Sequence, residues 1–488
     1  MSDTERYALA VLLCSAAALV AVLSNRLTER IRVPAALLMF VGAAVVAGLV
    51  PTLKISDLVG VQHVVTIALV LILFDGGMHI GWRRFRAAAA PIASVGVLGT
   101  FLTAAACAVL LHVAFGVDWY LALLVATAVA PTDPAVVFSV LGQREIRGRS
   151  GTILEGESGG NDPVGIALMA GLLAAAGLSW MAVRQVAAEF LLQMTVGLAV
   201  GIVGGWALLW FMRRFPLPSE ALYPLRTVFC ALALYGVGTL AQGSGFLAVF
   251  VAGIAIGDPG APYKREIERF HSALASMGEI VAFLVLGLTV DLPVLARADV
   301  WVPGLVLAIA LALVIRPVLV GACLLPARLR SNELAFVLFA GLKGAVPILL
   351  GELLRTAHVP QAERLFGIIV VVVVFSVLVQ GGLVPAAVSL LRLPTRLVHP
   401  EPWAVGVRLR AQPEGVHRLL VEPGAPADGA TVADVAGQVG DGWISIVVRD
   451  RVLVVVRDDT RLQAGDEVVV LADRTQQDSL ASIFASPR

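Results

Sequence analysis

Two short stretches hold most of the side chains able to bind an ion or carry a proton: Ala130-Pro131-Thr132-Asp133-Pro134 and Glu157-Ser158-Gly159-Gly160-Asn161-Asp162-Pro163. Each lies inside a long apolar run, where a carboxylate is costly and usually faces a cavity or a partner on an ion or substrate path. In the first, two prolines flank a Thr-Asp pair and interrupt the helix that the run otherwise predicts. The interruption leaves backbone carbonyls unpaired beside the Thr132 hydroxyl and the Asp133 carboxylate. In the second, Ser158 and Asp162 are four residues apart and share one helix face. Hydroxyl, carboxylate and carbonyl oxygens are what hard cations accept. No Cys/His cluster accompanies them, so a transition metal is not expected. Deep burial favours a protonated carboxyl, and a neighbouring cation favours the ionised one. One group can therefore hold either a proton or a cation, each expelling the other, which suffices for exchange if the empty, ionised site crosses poorly. We assign that role to Asp162, with Thr132 and Ser158 as further cation ligands and Asn161 and Asp133 around them. Glu157 reads as a paired structural or gating carboxylate.

Further charges lie near the same depth. Lys343 stands in a second Gly/Pro interruption, Gly341-Leu342-Lys343-Gly344-Ala345-Val346-Pro347. Two roles are open to it: compensating half-helix C-terminal dipoles, with Asp133 doing the reverse for N-termini, or pairing with Glu157. Arg316, before Pro317, and Asp75, before Gly76-Gly77, either form buried pairs or sit at an interface and snorkel. Gly156-Glu157-Ser158-Gly159-Gly160 also matches the G-x-S-x-G pattern of serine hydrolases. That chemistry needs a histidine held against the serine, whereas His63, His79, His112, His271 and His358 all fall near span ends or loops. An intramembrane serine hydrolase at Ser158 is thus the enzyme-class alternative. A passive cation channel gated by the tail is the other, although nothing resembles a filter loop.

The scaffold that must position these groups is a membrane one. The 488 residues are 58% hydrophobic and 15% charged, against roughly 45–50% and about 25% in soluble domains. A net charge of +1 gives no sign of nucleic-acid binding. Cys14, Cys107, Cys230 and Cys323 fall in separate apolar runs and read as small buried hydrophobes; no cofactor is expected. Met1–Arg6 lacks a basic region and cleavage site, so the first apolar run reads as a retained helix. With about 20 residues per crossing, the chain divides into thirteen spans, at 7–25, 33–50, 62–80, 88–115, 118–141, 152–176, 185–212, 222–241, 244–257, 272–291, 301–326, 333–355 and 364–391.

Loop charge supports that division. The loops after the odd spans, one to eleven, hold 17 basic residues (among them Arg83, Arg84, Arg86, Lys264, Arg265 and Arg269), and the opposite side holds six. Basic loops stay cytoplasmic, which puts the N-terminus outside and the C-terminus inside the cell membrane. The interrupted spans, five and twelve, are an odd number of crossings apart and run antiparallel. Paired interrupted helices in two halves point to an inverted-repeat transporter with a midplane site; spans one to six and eight to thirteen are the expected repeats. The expected fold is therefore an all-α polytopic membrane protein of about thirteen helices with two interrupted crossing helices, followed by a small cytoplasmic α+β domain. The domains are 1–392 in the membrane, a proline-rich linker at 393–403 and a soluble unit at 404–488. In the last, strands are predicted at His417–Val421, Trp443–Val448, Val452–Val456 and Glu467–Leu471, turns at Arg449-Asp450 and Gln463–Asp466, and a threonine-capped helix at Thr431–Ala436.

At these residues the chain resembles a known group. "LILFDGG", "APTDP", "EGESGGNDP", "FLVLGLTVD" and "GLKGAVPI" are similar to the NhaP-type branch of the sodium/proton exchangers, whose fold is of the NhaA/NhaP kind, and the tail resembles the TrkA-C (RCK-C) regulatory domain. A membrane unit followed by that tail is the layout of the CvrA-type potassium/proton antiporters. The resemblance implies exchange of K+ or Na+ for protons, a homodimer in the bilayer, and a tail that binds a small molecule such as a nucleotide or dimerises. It maps the cation- and proton-carrying aspartate onto Asp162, and motif positions around it onto Asn161, Thr132, Asp133, Glu157 and Ser158. The Asn-Asp pair implies electroneutral exchange. The family usually has arginine where Lys343 stands, which implies a single and not a forked pairing of Lys343 to Glu157.

Overall fold

Gly81 determines how the longest helical run crosses the membrane. In the computed structural model, residues 58–115 form one nearly continuous apolar run. Straight, it would be about 87 Å long at 1.5 Å per residue, far beyond the ~30 Å hydrocarbon core. At Gly81 the backbone turns to φ 65, ψ 160, a conformation glycine adopts without a Cβ penalty. The run is therefore broken into two helical segments at Gly81, just before Arg83, Arg84 and Arg86. The structure describes residues 35–141, 144–146, 149–175, 177–258, 262–393, 395–397, 416–439, 443–449, 452–472 and 477–485, with isolated positions 12, 15, 16 and 19. The expected first span and its Arg26, Arg30 and Arg32 thus lie almost entirely outside the described residues.

Helices α1 (Ala35–Leu49) and α2 (Leu58–Ala93) precede α3 (Thr100–Phe115). The first expected interruption is present: α4 (Trp119–Val129) stops before Pro131, and α5 (Pro134–Leu141) restarts after it. Next come α6 (Arg149–Ala175), which carries the second acidic motif, α7 (Trp180–Arg214), α8 (Leu222–Leu240), α9 (Gly245–Ile256) and α10 (Lys264–Gly287). After α11 (Ala298–Ala310), the second interruption separates α12 (Ser331–Phe339) from α13 (Ala345–Thr356), and α14 (Ala362–Phe375) follows. Among the described residues, six runs are long and apolar enough to cross a membrane, with Ala35–Leu49, Trp119–Val129 and Gly245–Ile256 shorter.

Three stretches widen into π-type turns: Ser94–Gly99 after Pro91, Leu311–Val320 around Pro317, and Ser376–Gly381. A proline removes one N–H and crowds the preceding turn, and wider turns absorb this, often at functional sites. The second stretch carries Arg316. Elsewhere small residues let backbones touch: a Cβ on Gly253 would meet the Phe74 carbonyl, and one on Gly257 the Met78 carbonyl. Such approach is what small-residue spacing provides between membrane helices. By contrast α7 keeps Leu191, Ile202, Val203, Trp206 and Trp210 exposed, an apolar surface suited to lipid.

Residues 1–398 form one compact unit and 399–488 another. Within the first, β1 (Arg144–Ile146) pairs antiparallel with β2 (Thr395–Leu397), so part of the expected linker is a strand that shares its backbone hydrogen bonds with the loop after α5. The second unit contains β3 (Val416–Leu420), α15 (Val432–Val439), β4 (Trp443–Arg449), β5 (Val452–Val454), β6 (Glu467–Leu471) and α16 (Gln477–Phe484). Its antiparallel sheet has the order β3-β6-β4-β5, over a core that includes Val435, Ile444, Val447, Val468, Leu480 and Phe484. The Thr431 hydroxyl accepts from the Asp434 amide at 3.1 Å while Asp434 accepts from the Thr431 amide at 3.1 Å, a reciprocal cap on α15. The β4–β5 hairpin pairs Arg449 with Val452; the expected turn at Asp450 lies outside the described residues.

Candidate functional site

The two interruptions meet. The Asp133 amide donates to the Leu342 carbonyl at 2.7 Å, so the unwound segment of one broken helix supplies the partner that the other lacks. Each first half-helix ends on carbonyls with no intrahelical donor, and a cation covers each end. Lys343 Nζ donates to the Ala130 and Pro131 carbonyls, at 2.9 Å each, past the end of α4. Arg316 donates through Nε to the Leu338 carbonyl at 2.9 Å and through Nη2 to the Val337 carbonyl at 3.1 Å, at the end of α12. At the other pole, the Asp133 carboxylate accepts from the Ala135 amide at 2.8 Å, at the start of α5. A Cβ on Gly344, which precedes α13, would collide with the same carboxylate. Cations thus face C-termini and the anion faces N-termini, as the helix dipole favours.

This geometry overturns one of the two roles open to Lys343. Its ammonium points to the Ala130 and Pro131 carbonyls and forms no ion pair with Glu157 among the described residues. Glu157 instead takes the fork of Arg316, with Nη1 to Oε1 at 2.6 Å and Nη2 to Oε2 at 2.9 Å. The bidentate partner of Glu157 is Arg316, in the π-type stretch after α11. Both partners are buried, Glu157 at 2% and Arg316 at 4% exposure, so Arg316 is a buried pair and not a snorkelling side chain.

Thr132 and Asn161 extend this cluster. Asn161 Nδ2 donates to Thr132 Oγ1 at 2.8 Å, and Thr132 Oγ1 lies 3.5 Å from Glu157 Oε1. Asn161 Oδ1, however, is buried without a hydrogen-bond partner among the described residues. Asp162 is 7% exposed and makes no hydrogen bond or close ion pair with a described residue; Asp133 and Lys343 are the charges near enough to act on it. Ser158 is buried one helical turn before Asp162. Asp75 stands apart from these groups: it accepts from the Ser272 hydroxyl at 3.1 Å and lies 3.4 Å from His79 Nδ1. No described histidine hydrogen-bonds Ser158; His271, for one, pairs with Thr227 at 2.8 Å.

Several residues here were not singled out in the sequence. Ser376 Oγ accepts from the Lys343 amide at 3.1 Å and Gln380 Nε2 donates to the Phe339 carbonyl at 2.6 Å; both fall in the π-type stretch after α14. A separate buried cluster joins Glu352 of α13 to the Thr289 hydroxyl just past α10, with Arg355 Nη1 3.1 Å from both Glu352 oxygens. Glu279, midway along α10, is partly buried and makes no hydrogen bond or ion pair with a described residue. Polar letters inside apolar runs were the available signal for Gln380 and Glu279. For Glu352 and Arg355 it was a helical i, i+3 charge pair.

Two broken helices crossing at buried charges define a secondary transporter of the crossed-helix kind. The family model for the transmembrane part of sodium/hydrogen exchangers matches residues 15–390, and that for the TrkA-C domain matches residues 416–485. The chain belongs to the sodium/hydrogen exchanger family. It is 37% identical over 334 residues to the K(+)/H(+) antiporter NhaP of Alkalimonas amylolytica, covering 67% of this chain and 57% of that one. It is 31% identical over 482 residues to the K(+)/H(+) antiporter NhaP2 of Shewanella sp. (strain MR-4), covering 96% and 82%. The fold matches the sodium proton antiporter MjNhaP1 from Methanocaldococcus jannaschii with a TM-score of 0.65 at 19% identity, over 77% of this chain and 99% of that one.

Proposed function

We propose that this protein is a secondary active antiporter that exchanges K+ and/or Na+ for protons across the cell membrane by alternating access. The observation that carries the reading is the contrast at Asp162: a buried carboxylate with no hydrogen bond or ion pair to a described residue, beside Asn161 Oδ1, which likewise has no described partner. A charge in that setting needs a counter-charge, and a proton or an alkali cation supplies it. Asp162 holds either one. The remaining Thr132 lone pair, Asn161 Oδ1 and the Ser158 hydroxyl complete an oxygen set for the cation. Glu157 and Arg316 are structural, and Lys343 and Asp133 fix the crossing. Family membership and the potassium/proton antiporters among the relatives support an alkali cation as cargo.

On the same reading, exchange is electroneutral, the protein works as a homodimer in the bilayer, and no cofactor takes part. The N-terminus lies outside, as the basic loops require. Residues 1–392 form the exchanger, 393–403 the connection, and 404–488 a cytoplasmic regulatory domain for a small ligand such as a nucleotide. The test is dequenching of a pH dye in proteoliposomes, with each alkali cation, across pH and with parallel current recording. Antiport predicts saturable, cation-driven proton movement without current. A sustained cation current without obligatory proton movement would replace the antiporter with a channel.

A further inference from the structure

The buried Glu352 cluster lies where two groups of helices meet. Helices α1, α2, α8, α9 and α10 pack mainly on one another, and so do α3, α4, α11, α13 and α14; α13 touches the first group at α2 and α10. Three polar contacts cross that boundary, all at the helix ends that the basic-loop rule puts outside. The Thr289 hydroxyl, just past α10, donates to Glu352 of α13. Arg355 Nη1 donates to the Thr289 carbonyl at 3.3 Å. Gln62 Nε2 of α2 donates to the Thr356 hydroxyl, at the end of α13, at 2.8 Å. Thr289 and Glu352 are both fully buried.

These contacts differ from the Glu157–Arg316 fork in what each group keeps once they break. The Thr289 hydroxyl lies 2.8 Å from the Leu286 carbonyl of its own helix, so its proton can turn back there. Glu352 keeps Arg355 Nη1, 3.1 Å from both of its oxygens. Arg355 is held within its own group: Nε donates to Glu363 Oε1 at 2.9 Å, and the guanidinium lies 5.0 Å from the Phe366 ring centroid, both on α14. Thr356 Oγ1 reaches the Glu352 and Leu353 carbonyls of α13 at 3.3 and 3.2 Å, and Gln62 is half-buried and can turn to water. Breaking a buried pair is costly when one member is left unmatched. Here each charge keeps a partner on its own side. A contact with two satisfied arrangements is what a switching interface requires.

We propose that Thr289–Glu352 and Gln62–Thr356 form an outer latch, which ties the two helix groups together while the site is closed to the outside and parts when it opens there. The proposal rests on the alternating-access reading given above. Thr289→Val removes the hydroxyl and keeps the shape, so it should favour the outward-open arrangement. In right-side-out and everted membrane vesicles carrying the full chain, the apparent KM for K+ should fall at the outer face and rise at the inner one. Their ratio should change about tenfold, the loss of one hydrogen bond to a charged group. Thr289→Ser keeps the hydroxyl and should hold the wild-type ratio. A wild-type ratio in Thr289→Val, two KM values that move together, or an equal shift in Thr289→Ser overturns the latch alone. Sustained cation current without proton movement overturns the exchanger reading instead. Should Thr289→Val fail to insert, a thiol bridge decides, in Gln62→Cys/Thr356→Cys with the four native cysteines replaced by alanine. A short bifunctional thiosulfonate should stop exchange and dithiothreitol restore it; protein shown by mass spectrometry to be bridged, yet exchanging at its unbridged rate, would overturn the latch.

Discussion

Glu157 and Asp162 stand five residues apart on α6, both buried, and they live in opposite circumstances. Glu157 is gripped by both arms of Arg316, which in turn closes the end of α12. Among the described residues, Asp162 has no hydrogen bond or ion pair, with Asp133 and Lys343 the nearby charges and a neighbouring amide oxygen without a donor. A buried charge already matched by a fork cannot exchange its partner at a useful rate, because removing one member leaves the other unpaired in low dielectric. A buried charge left unmatched must take its partner from solution. The difference separates scaffold from cargo site within a turn and a half of one helix.

The largest effect should come from erasing the unmatched side. Asp162→Asn should abolish proton-coupled cation movement while the protein still inserts and elutes as the wild type does, as vesicle dequenching and gel filtration would report. Erasing half of the matched side should act on stability instead. Arg316→Ala leaves Glu157 and the α12 carbonyls unpaired and should cost about 3–5 kcal/mol, read as a lowered thermal midpoint in detergent. The double variant Glu157→Gln/Arg316→Met should recover part of that loss; no recovery would mean the pair is not coupled. Lys343→Ala strips the donor from the Ala130 and Pro131 carbonyls and should cost about 1–3 kcal/mol for each group left unmade. The smallest effect belongs to the C-terminal unit. Burial raises the Asp466 carboxyl, but the Arg449 fork, at 2.8 Å to each oxygen, and the Gln463 amide outweigh it and hold the group below the usual carboxylate range. A depressed folded-state value contributes stability above the ordinary aspartate range and loses it as pH falls through the folded value. Proteolysis of the tail should therefore accelerate on acidification toward that value, and Asp466→Asn should flatten the response.

Much of this arrangement was legible in the letters, for a physical reason. Pro131, Pro134, Gly341 and Gly344 act on their own backbone, so the two interruptions followed from local rules. The four tail strands and the Thr431 cap were local too. What sequence could not reach was which buried cation meets which buried anion. Lys343 and Arg316 lie on different helices, and the choice between them for Glu157 depends on where the π-type turn at Pro317 swings a side chain. Glu279 and Gln380 escaped because each is a lone polar letter in an apolar run, and Glu352 because its Thr289 partner lies 63 residues earlier in the chain. The strand at Thr395–Leu397 was hidden for the same reason, since its partner lies some 250 residues earlier.

The central claim is that one buried carboxyl, Asp162, holds either a proton or an alkali cation. It is tested most directly by adding K+ or Na+ to the purified protein in weakly buffered detergent solution and recording the pH. Wild type should release protons in proportion to cation bound, with the release fading as the starting pH rises and Asp162 is already ionised; Asp162→Asn should release none. Equal proton release from the two proteins, or cation binding by the wild type without release, would contradict it.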